Sequence, residues 1–283
     1  MNCRLARIVF AAGSMAALAA AQGSGSAFEV ASVKQSKSND DRWGFQTLPG
    51  GRFVATSLPV LAIIAIAYDL PIQSDRVTGG PDWIRKIDFD IDAKAGEGAI
   101  PPGATIAMRD EKIRAMLQTL LADRFKLVIR RETKERPVYA IVVARNGPKL
   151  GKPIEEKDCS DNSSGPALPP CHVINGGQGR GLHAQAVTLA DVATFVGNWT
   201  DRPVIDKSGL TGLYKIQTEG WAPLRPRPPR TDGADPTAEE TAIADPIRPT
   251  IFQIFDRLGL KLDPQRAPVE TFTIESVEHP TGN

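Results

Sequence analysis

Residues 51–70 read GRFVATSLPVLAIIAIAYDL, a stretch that decides the fold because it changes from a strand pattern to a helix pattern. The first part predicts a strand that ends at Thr56 or Ser57. Either side chain is of a type that caps helices, and Pro59 suits a first helical turn. Leu58 to Tyr68 is apolar on nearly every side, which indicates a buried helix.

The same change of pattern recurs at residues 179–196, GRGLHAQAVTLADVATFV. A strand is predicted up to Val187, and Thr188 is predicted to cap the next helix with Asp191 at the capping-box position. The recurrence predicts an internal duplication. The alternative is that any two stretches of mixed helix and strand look alike at this level.

In both copies, a turn, a strand and an amphipathic helix follow. In the first copy a helix is predicted over Arg109 to Asp123, because apolar residues recur at helical spacing. These residues are Ile113, Met116, Leu117, Leu120 and Leu121. In the second copy the corresponding stripe consists of Ile251, Ile254, Phe255 and Leu258.

A predicted β-hairpin closes each copy. Residues 125–131 (FKLVIRR) and 138–145 (VYAIVVAR) read as two strands joined by a polar turn at Glu132 to Arg136. Residues 260–278 (LKLDPQRAPVETFTIESVE) repeat this pattern.

Together these patterns predict an α+β fold of two similar halves with mostly antiparallel sheet, each half ordered strand, helix, strand, helix, hairpin. Whether the halves share one sheet or form two lobes stays open. The predicted segments are a signal peptide at 1–21, an N-terminal strand and linker at 22–49, a first α+β half at 50–150, a cysteine-containing loop at 151–178 and a second α+β half at 179–283 with a proline-rich insertion at 221–249.

The composition excludes two classes of protein. The chain has 283 residues, of which 41% are hydrophobic and 24% charged, so a wholly disordered chain is excluded. Its 34 Lys and Arg residues balance 33 Asp and Glu residues. This lack of a basic excess argues against nucleic acid as a partner.

The N-terminus indicates export. Arg4 and Arg7 precede an apolar run, Ile8 to Ala21, that ends in three alanines before Gln22. This is the pattern of a cleavable secretory signal peptide, which predicts a periplasmic or extracellular protein with no membrane span after cleavage. An uncleaved N-terminal anchor is the alternative.

Two cysteines remain after cleavage, Cys159 and Cys171. An even number in an oxidising compartment predicts one disulfide, which would contribute about 3 kcal/mol in a loop-entropy estimate. The alternative is a metal pair with His172, but the spacing matches no standard zinc site.

The sequence lacks complete catalytic signatures. It contains neither the H-E-x-x-H of zinc hydrolases nor the G-x-S-x-G of serine hydrolases. Asp88, Asp90 and Asp92 alternate with apolar residues, which predicts three carboxylates on one face of a strand. They are candidates for acid–base chemistry, although the solvent face of a half-buried strand has the same pattern. We therefore expect no catalytic residues, no cofactor and no metal.

The most distinctive string is DKSGLTGLY, residues 206–214. As structure, it indicates a glycine-containing turn in which Asp206 binds backbone amides. As function, it predicts a loop that faces a ligand in a groove between the halves. The predicted ligand-facing residues are Trp83, Asp206, Gly209, Leu210, Thr211, Gly212 and Tyr214.

Five strings resemble a known family: FEVASVK, LLADRFKL, RPVYAIVVARNGPKL, RPVIDKSGLTGLYKI and TIESVEHPTGN. Together they look like the soil-associated exported bacterial proteins, a domain of unknown function with many paralogues per genome. That family usually has Thr where Ser208 stands. The resemblance implies a bacterial, exported protein with no established activity. Related domains fused to antirepressor-type membrane metallopeptidases imply sensing or binding outside the cytoplasm.

The sequence therefore favours an exported, non-enzymatic binding, sensing or interaction module of the bacterial envelope. Its expected partner is a peptide, a protein or a small ligand. One alternative is a carboxylate-dependent hydrolase acting on envelope or extracellular polymers, and another is a passive structural protein.

Overall fold

The computed structural model describes residues 27–37, 43–158, 171–224 and 248–280. The predicted signal peptide, Cys159 and residues 225–247 of the predicted proline-rich insertion lie outside the described residues. Within them the chain is a mixture of helices and mostly antiparallel strands, which confirms the α+β prediction.

The described strands are, in chain order, β1 (Phe28–Gln35), β2 (Gly44–Leu48), β3 (Arg52–Pro59), β4 (Val77–Gly79), β5 (Asp88–Ala95), β6 (Val128–Val143), β7 (Asn175–Gly177), β8 (Gly181–Val187), β9 (Val204–Asp206), β10 (Tyr214–Gln217) and β11 (Leu260–Ser276). The described helices are α1 (Val60–Ala67), α2 (Trp83–Lys86), α3 (Ile106–Phe125), α4 (Leu189–Val196) and α5 (Ile251–Arg257).

The first half has its own antiparallel sheet, in the order β1-β5-β3-β2. Helices α1 and α3 pack with it in one hydrophobic core. The buried apolar stripe predicted for α3 is confirmed. Helix α1 is buried almost all round, as its composition predicts.

The predicted cap of α1 by Thr56 or Ser57 is wrong. Strand β3 continues to Pro59, which precedes the helix without a side-chain capping bond. The pairing of β3 with β5 shifts register after Ala55, and Ser57 adopts a φ of 51°. Its amide N–H donates to the Asp90 carboxylate over 2.9 Å, so Ser57 belongs to a β-bulge and not to a helix cap.

The second half has a smaller antiparallel sheet, in the order β10-β8-β7, which packs with α4 and α5 in a second hydrophobic core. The predicted capping box is present: the Thr188 hydroxyl accepts from the Asp191 N–H, and the Asp191 carboxylate accepts from the Thr188 N–H. Thr250 and Gln253 form the same arrangement on α5.

The two predicted closing hairpins are wrong. Residues 128–143 form one continuous strand, β6, and residues 260–276 form another, β11. The two pair antiparallel over almost their whole length, and Glu132 to Arg136 lie within the ladder. One end of this ribbon enters the first core and the other end enters the second, so its polar middle spans the distance between the cores.

Three prolines within the ribbon resemble turn residues in the sequence but fit the ladder. The Tyr139 N–H donates to the Pro203 carbonyl oxygen, so the pair Tyr139–Pro264 does not exchange ladder hydrogen bonds. Bonding pairs alternate in an antiparallel ladder, so the Pro137 and Pro268 pairs are also non-bonding. At such positions the missing N–H of proline removes no hydrogen bond between β6 and β11.

The ribbon joins the halves through a third sheet, in the order β4-β11-β6-β9. Strand β4 of the first half runs parallel to β11 of the second half, and β9 of the second half runs parallel to β6 of the first. Each half therefore has a small sheet of its own and contributes two strands to a shared one.

The order of elements recurs along the chain. The series β3, α1, β4, β5, α3, β6 has the same types in the same order as β8, α4, β9, β10, α5, β11. Strand β1 and helix α2 have no described counterpart in the second half. That the halves arose by duplication stays a prediction.

Candidate functional site

Two short loops with matching residues lead into the outer strands of the shared sheet. Ser74-Asp75-Arg76 directly precedes β4, and Thr200-Asp201-Arg202 precedes β9 with Pro203 between them. Each loop follows a buried helix, α1 or α4. Because β4 and β9 flank the central ribbon on opposite edges, both loops are fixed by the same sheet.

A pocket of about 350 Å³ lies between these loops, lined by residues between 71 and 76 on one side and between 194 and 204 on the other. Its two walls touch. The Gln73 N–H donates to the Asn198 side-chain oxygen over 3.4 Å, and a Cβ added to Gly197 would lie 2.7 Å from Cγ of Pro71. The two halves therefore contact each other directly at the pocket, and each forms one of its walls.

The carboxylates of the pocket already have partners. Asp75 accepts a hydrogen bond from Arg136 of β6. Asp201 accepts one from the Tyr139 hydroxyl over 3.1 Å. Strand β6 thus engages one carboxylate from each loop.

Arg76 is a partly buried guanidinium in the wall of the pocket. Its Nε donates to the Glu270 carbonyl oxygen over 2.8 Å, and its Nη atoms have no hydrogen-bond partner among the described residues. Burial lowers the pKa of Arg76; the charge of Glu270 opposes this effect and that of Arg136 adds to it. A guanidinium that is partly desolvated, with free donors, is suited to an anionic or carbonyl-bearing ligand.

The second guanidinium, Arg202, is arranged differently. It lies over the Tyr139 ring at 5.2 Å from the ring centroid, and its Nε is 3.6 Å from Asp201. The Arg202 carbonyl oxygen accepts from the Thr200 hydroxyl over 2.8 Å, which holds the loop. Arg202 is 39% exposed, so its head can reach a bound molecule.

A second, larger hollow of about 570 Å³ lies at one end of the first sheet, between loops that include residues 49–51 and 95–98. Its lining comes from the first half alone. Arg109, one of its basic residues, pairs with the neighbouring Asp110 at 3.0 Å. The pocket between the halves, in contrast, is lined by both of them.

A histidine–carboxylate cluster lies elsewhere, at the N-termini of α3 and α4. Nδ1 of His172 lies 2.8 Å from Asp191 Oδ2, and Nε2 lies 3.7 Å from Glu156 Oε1. Nε2 is buried without a hydrogen-bond partner in the described residues. Glu156 also accepts from the Ala107 N–H at the start of α3. The cluster joins both halves.

The electrostatics of this cluster favour a charged pair. The hydrogen bond with Asp191 raises the pKa of His172, against the effect of burial, and the charges of Asp191, Glu156 and Asp110 raise it further. Burial acts to raise the pKa of Asp191, but hydrogen bonds from His172 and Thr188 outweigh it and leave that pKa lowered. We interpret the cluster as an internal tie.

The structure does not add ligands to the metal site that the sequence offered as an alternative at His172. Within the described residues, no group of three or more His, Cys, Asp or Glu side chains is arranged to hold a metal ion. Cys171 is buried, and its predicted partner Cys159 lies outside the described residues, so the disulfide stays a prediction.

The three predicted carboxylates occupy one face of β5, but two of them have structural partners. Asp92 binds Arg52 at 2.6 Å, and Asp90 accepts from the Ser57 N–H. Partial burial, with a contribution from Asp90, raises the pKa of Asp88. Asp88 is therefore the carboxylate of the three whose pKa the fold raises.

The distinctive loop at 206–214 satisfies its own polar groups. Asp206, at the end of β9, accepts from the Ser208 N–H over 2.9 Å and from its hydroxyl over 2.7 Å. The buried Tyr214 donates its hydroxyl to the Thr211 carbonyl oxygen over 3.0 Å. Gly209 and Gly212 have φ of 70° and 95°, as the turn interpretation requires.

Trp83 does not pack with that loop. It stacks on His279 with ring centroids 4.0 Å apart and belongs to the first hydrophobic core, whereas Leu210 and Tyr214 belong to the second. The ligand-facing role of Trp83 and of the loop stays a prediction.

The sequence reasoning missed Arg76, Arg202 and the His172–Asp191 pair. The repeated string Ser/Thr-Asp-Arg, followed by Val77 in the first copy and by Pro203-Val204 in the second, was the available signal for the pocket. For His172, the fold brings residues together whose contact no local pattern indicates.

Comparison with known proteins places the chain in one family. The family described as Protein of unknown function (DUF3738) matches residues 61–277, a range that runs from α1 into the residue after β11 and includes both walls of the pocket. No curated protein and no solved structure matches the chain. In the described residues, no helix is long and apolar enough to cross a membrane.

Proposed function

The chain belongs to the DUF3738 family of unknown function, and on that premise we propose that it is a ligand-binding module whose site is the pocket between the two halves. One observation carries the proposal: both halves line the pocket, and the Nη donors of Arg76 in its wall have no hydrogen-bond partner in the part of the chain that the structure describes. Pockets with a few convergent polar groups are the usual places for ligands.

We propose further that the module acts without catalysis. The strongest acid–base pair, His172 and Asp191, is used to cap α4 and to tie the halves together. The pocket carboxylates Asp75 and Asp201 already accept protein hydrogen bonds. These hydrogen bonds give each of the groups a structural role, which supports a non-catalytic module.

A second candidate, the carboxylate-dependent hydrolase, has one observation in its favour. The pKa of Asp88 is raised by burial and by Asp90, which is the condition a general acid needs. If the protein is such a hydrolase, Asp88→Asn should lose activity on envelope or extracellular polymers. Asp82→Asn, a control at an exposed position of the same half, should keep it. Equal activity in the two variants excludes Asp88 as the acid.

The proposed setting is the periplasm or the extracellular space, with a peptide, protein or small envelope ligand as partner. The N-terminal pattern supports export, because Arg4 and Arg7 precede an apolar run and a small-residue site. Mass spectrometry of the secreted or periplasmic protein should find Gln22 as the first residue. Retention of Met1 in the membrane fraction would support the uncleaved anchor.

A pocket-filling variant tests the binding function. Thr194 lines the pocket, and Thr194→Trp fills it. Lys112→Trp, at a half-buried position of α3 that does not line the pocket, is the matched control. A library of envelope-derived small molecules and short peptides is screened for compounds that raise the Tm. A compound that stabilises wild type and Lys112→Trp but not Thr194→Trp supports the proposal, whereas equal stabilisation of all three proteins contradicts it.

A further inference from the structure

The orientation of Arg76 specifies more than a general binding site. Its Nε is used in the hydrogen bond to the Glu270 carbonyl oxygen, which fixes the plane of the guanidinium. The N–H groups on Nη1 and Nη2 have no hydrogen-bond partner among the described residues. Two parallel N–H groups of this kind match the two oxygens of a carboxylate or phosphate.

The charges around Arg76 leave this fork available. The adjacent carboxylate, Asp75, is bound by Arg136, whose positive charge also acts on Arg76. Glu270, Asp75 and Asp69 act on Arg76 through their charge, but none of these carboxylates hydrogen-bonds to it. An incoming anionic oxygen group therefore does not have to displace a protein carboxylate.

Two further donors line the same pocket. The Ser74 hydroxyl oxygen accepts from the Arg76 N–H over 3.2 Å, which leaves the hydroxyl hydrogen free to donate elsewhere. Arg202 is partly exposed, and its stacking on Tyr139 leaves the edge of its guanidinium accessible. The pocket thus combines two guanidinium groups and a hydroxyl.

We propose that the ligand presents an oxyanionic group, a carboxylate or a phosphate, to the Nη atoms of Arg76, with Ser74 and Arg202 as additional donors. This inference rests on the proposed function, since it names the ligand chemistry of the same pocket. The shared chemistry is a planar or tetrahedral group with at least two oxygen atoms that share its negative charge.

The experiment is a titration of the purified ¹⁵N-labelled protein, with backbone amide shifts as the readout. The probes are inorganic phosphate, succinate and neutral succinamide, all at one ionic strength. The variants are Arg76→Gln, which removes the charge and the fork, and Arg76→Lys, which keeps the charge alone. Arg85→Gln is the matched control, because Arg85 is exposed and also donates to one backbone carbonyl, that of Gly79.

Phosphate or succinate should shift the amide resonances of residues 73–76 and 197–204. The anion that binds with the higher affinity identifies the oxyanionic group as a phosphate or a carboxylate. The affinity should fall at least tenfold in Arg76→Gln, fall less in Arg76→Lys and stay unchanged in Arg85→Gln. Should Arg76→Gln fail to fold, a loss of affinity in Arg76→Lys carries the test.

Three results would overturn the inference. Equal shifts with succinamide, or equal affinity in the Arg76 variants, show that the pocket binds ligands without oxyanion recognition, and the proposed function survives. Absence of shifts with both anions also overturns it. The proposed function fails as well if, in addition, no compound of the library raises the Tm of wild type without raising that of Thr194→Trp.

Discussion

Nδ1 of His172 lies 2.8 Å from Oδ2 of Asp191, which joins the segment after Cys171 to the first turn of α4. Glu156 approaches the other ring nitrogen, and Asp110 acts on His172 through its charge. Since His172 lies in the cysteine-containing loop, Asp191 on α4 of the second half and Asp110 on α3 of the first, the pair contributes to the junction between the halves.

The stability of the protein should depend on the protonation of His172. Because the folded-state pKa of His172 is raised, its contribution is complete below the unfolded value of about 6.5 and is lost as pH rises through the folded pKa. Asp191, with a lowered pKa, contributes above its unfolded value of about 3.9 and loses this as pH falls through its folded pKa.

We therefore expect His172→Gln to lower the Tm most between these limits, near pH 5 to 6. The difference from wild type should shrink toward alkaline pH. Thermal melts over pH 5–9 measure this, with His183→Gln, at an exposed position, as the control. A Tm difference that does not change with pH would contradict the assigned charge pair.

A disulfide between Cys159 and Cys171 is predicted. Cys171 is 1% exposed, so a bridge there would fix a buried anchor next to His172. Under non-reducing, denaturing conditions the intact mass should be lower by the mass of two hydrogen atoms, with no thiol open to alkylation. Cys159→Ser should lower the free energy of unfolding by about 2–4 kcal/mol. Alkylation of both cysteines without reductant would refute the bridge.

The continuity of β6 can be tested by the position of a new proline. Lys134 pairs with Val269 at a position that exchanges ladder hydrogen bonds, whereas the neighbouring Glu135 pairs with Pro268 at a non-bonding one. Lys134→Pro should lower the free energy of unfolding by more than about 1 kcal/mol, and Glu135→Pro by clearly less. Denaturant melts compare them. An equal loss of stability in Lys134→Pro and Glu135→Pro would indicate that these residues form a turn and not part of the β6–β11 ladder.

Local patterns in the sequence predicted much of the fold. The stripe from Ile113 to Leu121 identified α3, and Thr188 with Asp191 identified the start of α4, because helix periodicity and capping depend on residues a few positions apart. Glu132 to Arg136 misled the prediction, since a charged run near a proline is typical of a turn. Only the pairing with β11, more than a hundred residues away, makes it a strand.

The candidate site was harder to predict for the same physical reason. Arg76 and Arg202 are ordinary polar residues in their local sequence. They share a pocket because β4 pairs with β11 and β9 with β6, so that each half contributes an edge strand to the ribbon of the other. The loop at 206–214 attracted attention through its glycines, and these serve the turn itself.

The central claim is that ligands bind in the pocket between the halves. The most direct measurement maps the backbone amide shifts caused by the compound that raises the Tm of the purified protein most. We predict that the largest shifts fall in residues 73–76 and 197–204 and that Thr194→Trp abolishes them. Shifts centred instead on Trp83 or on residues 206–214, and retained in Thr194→Trp, would contradict it.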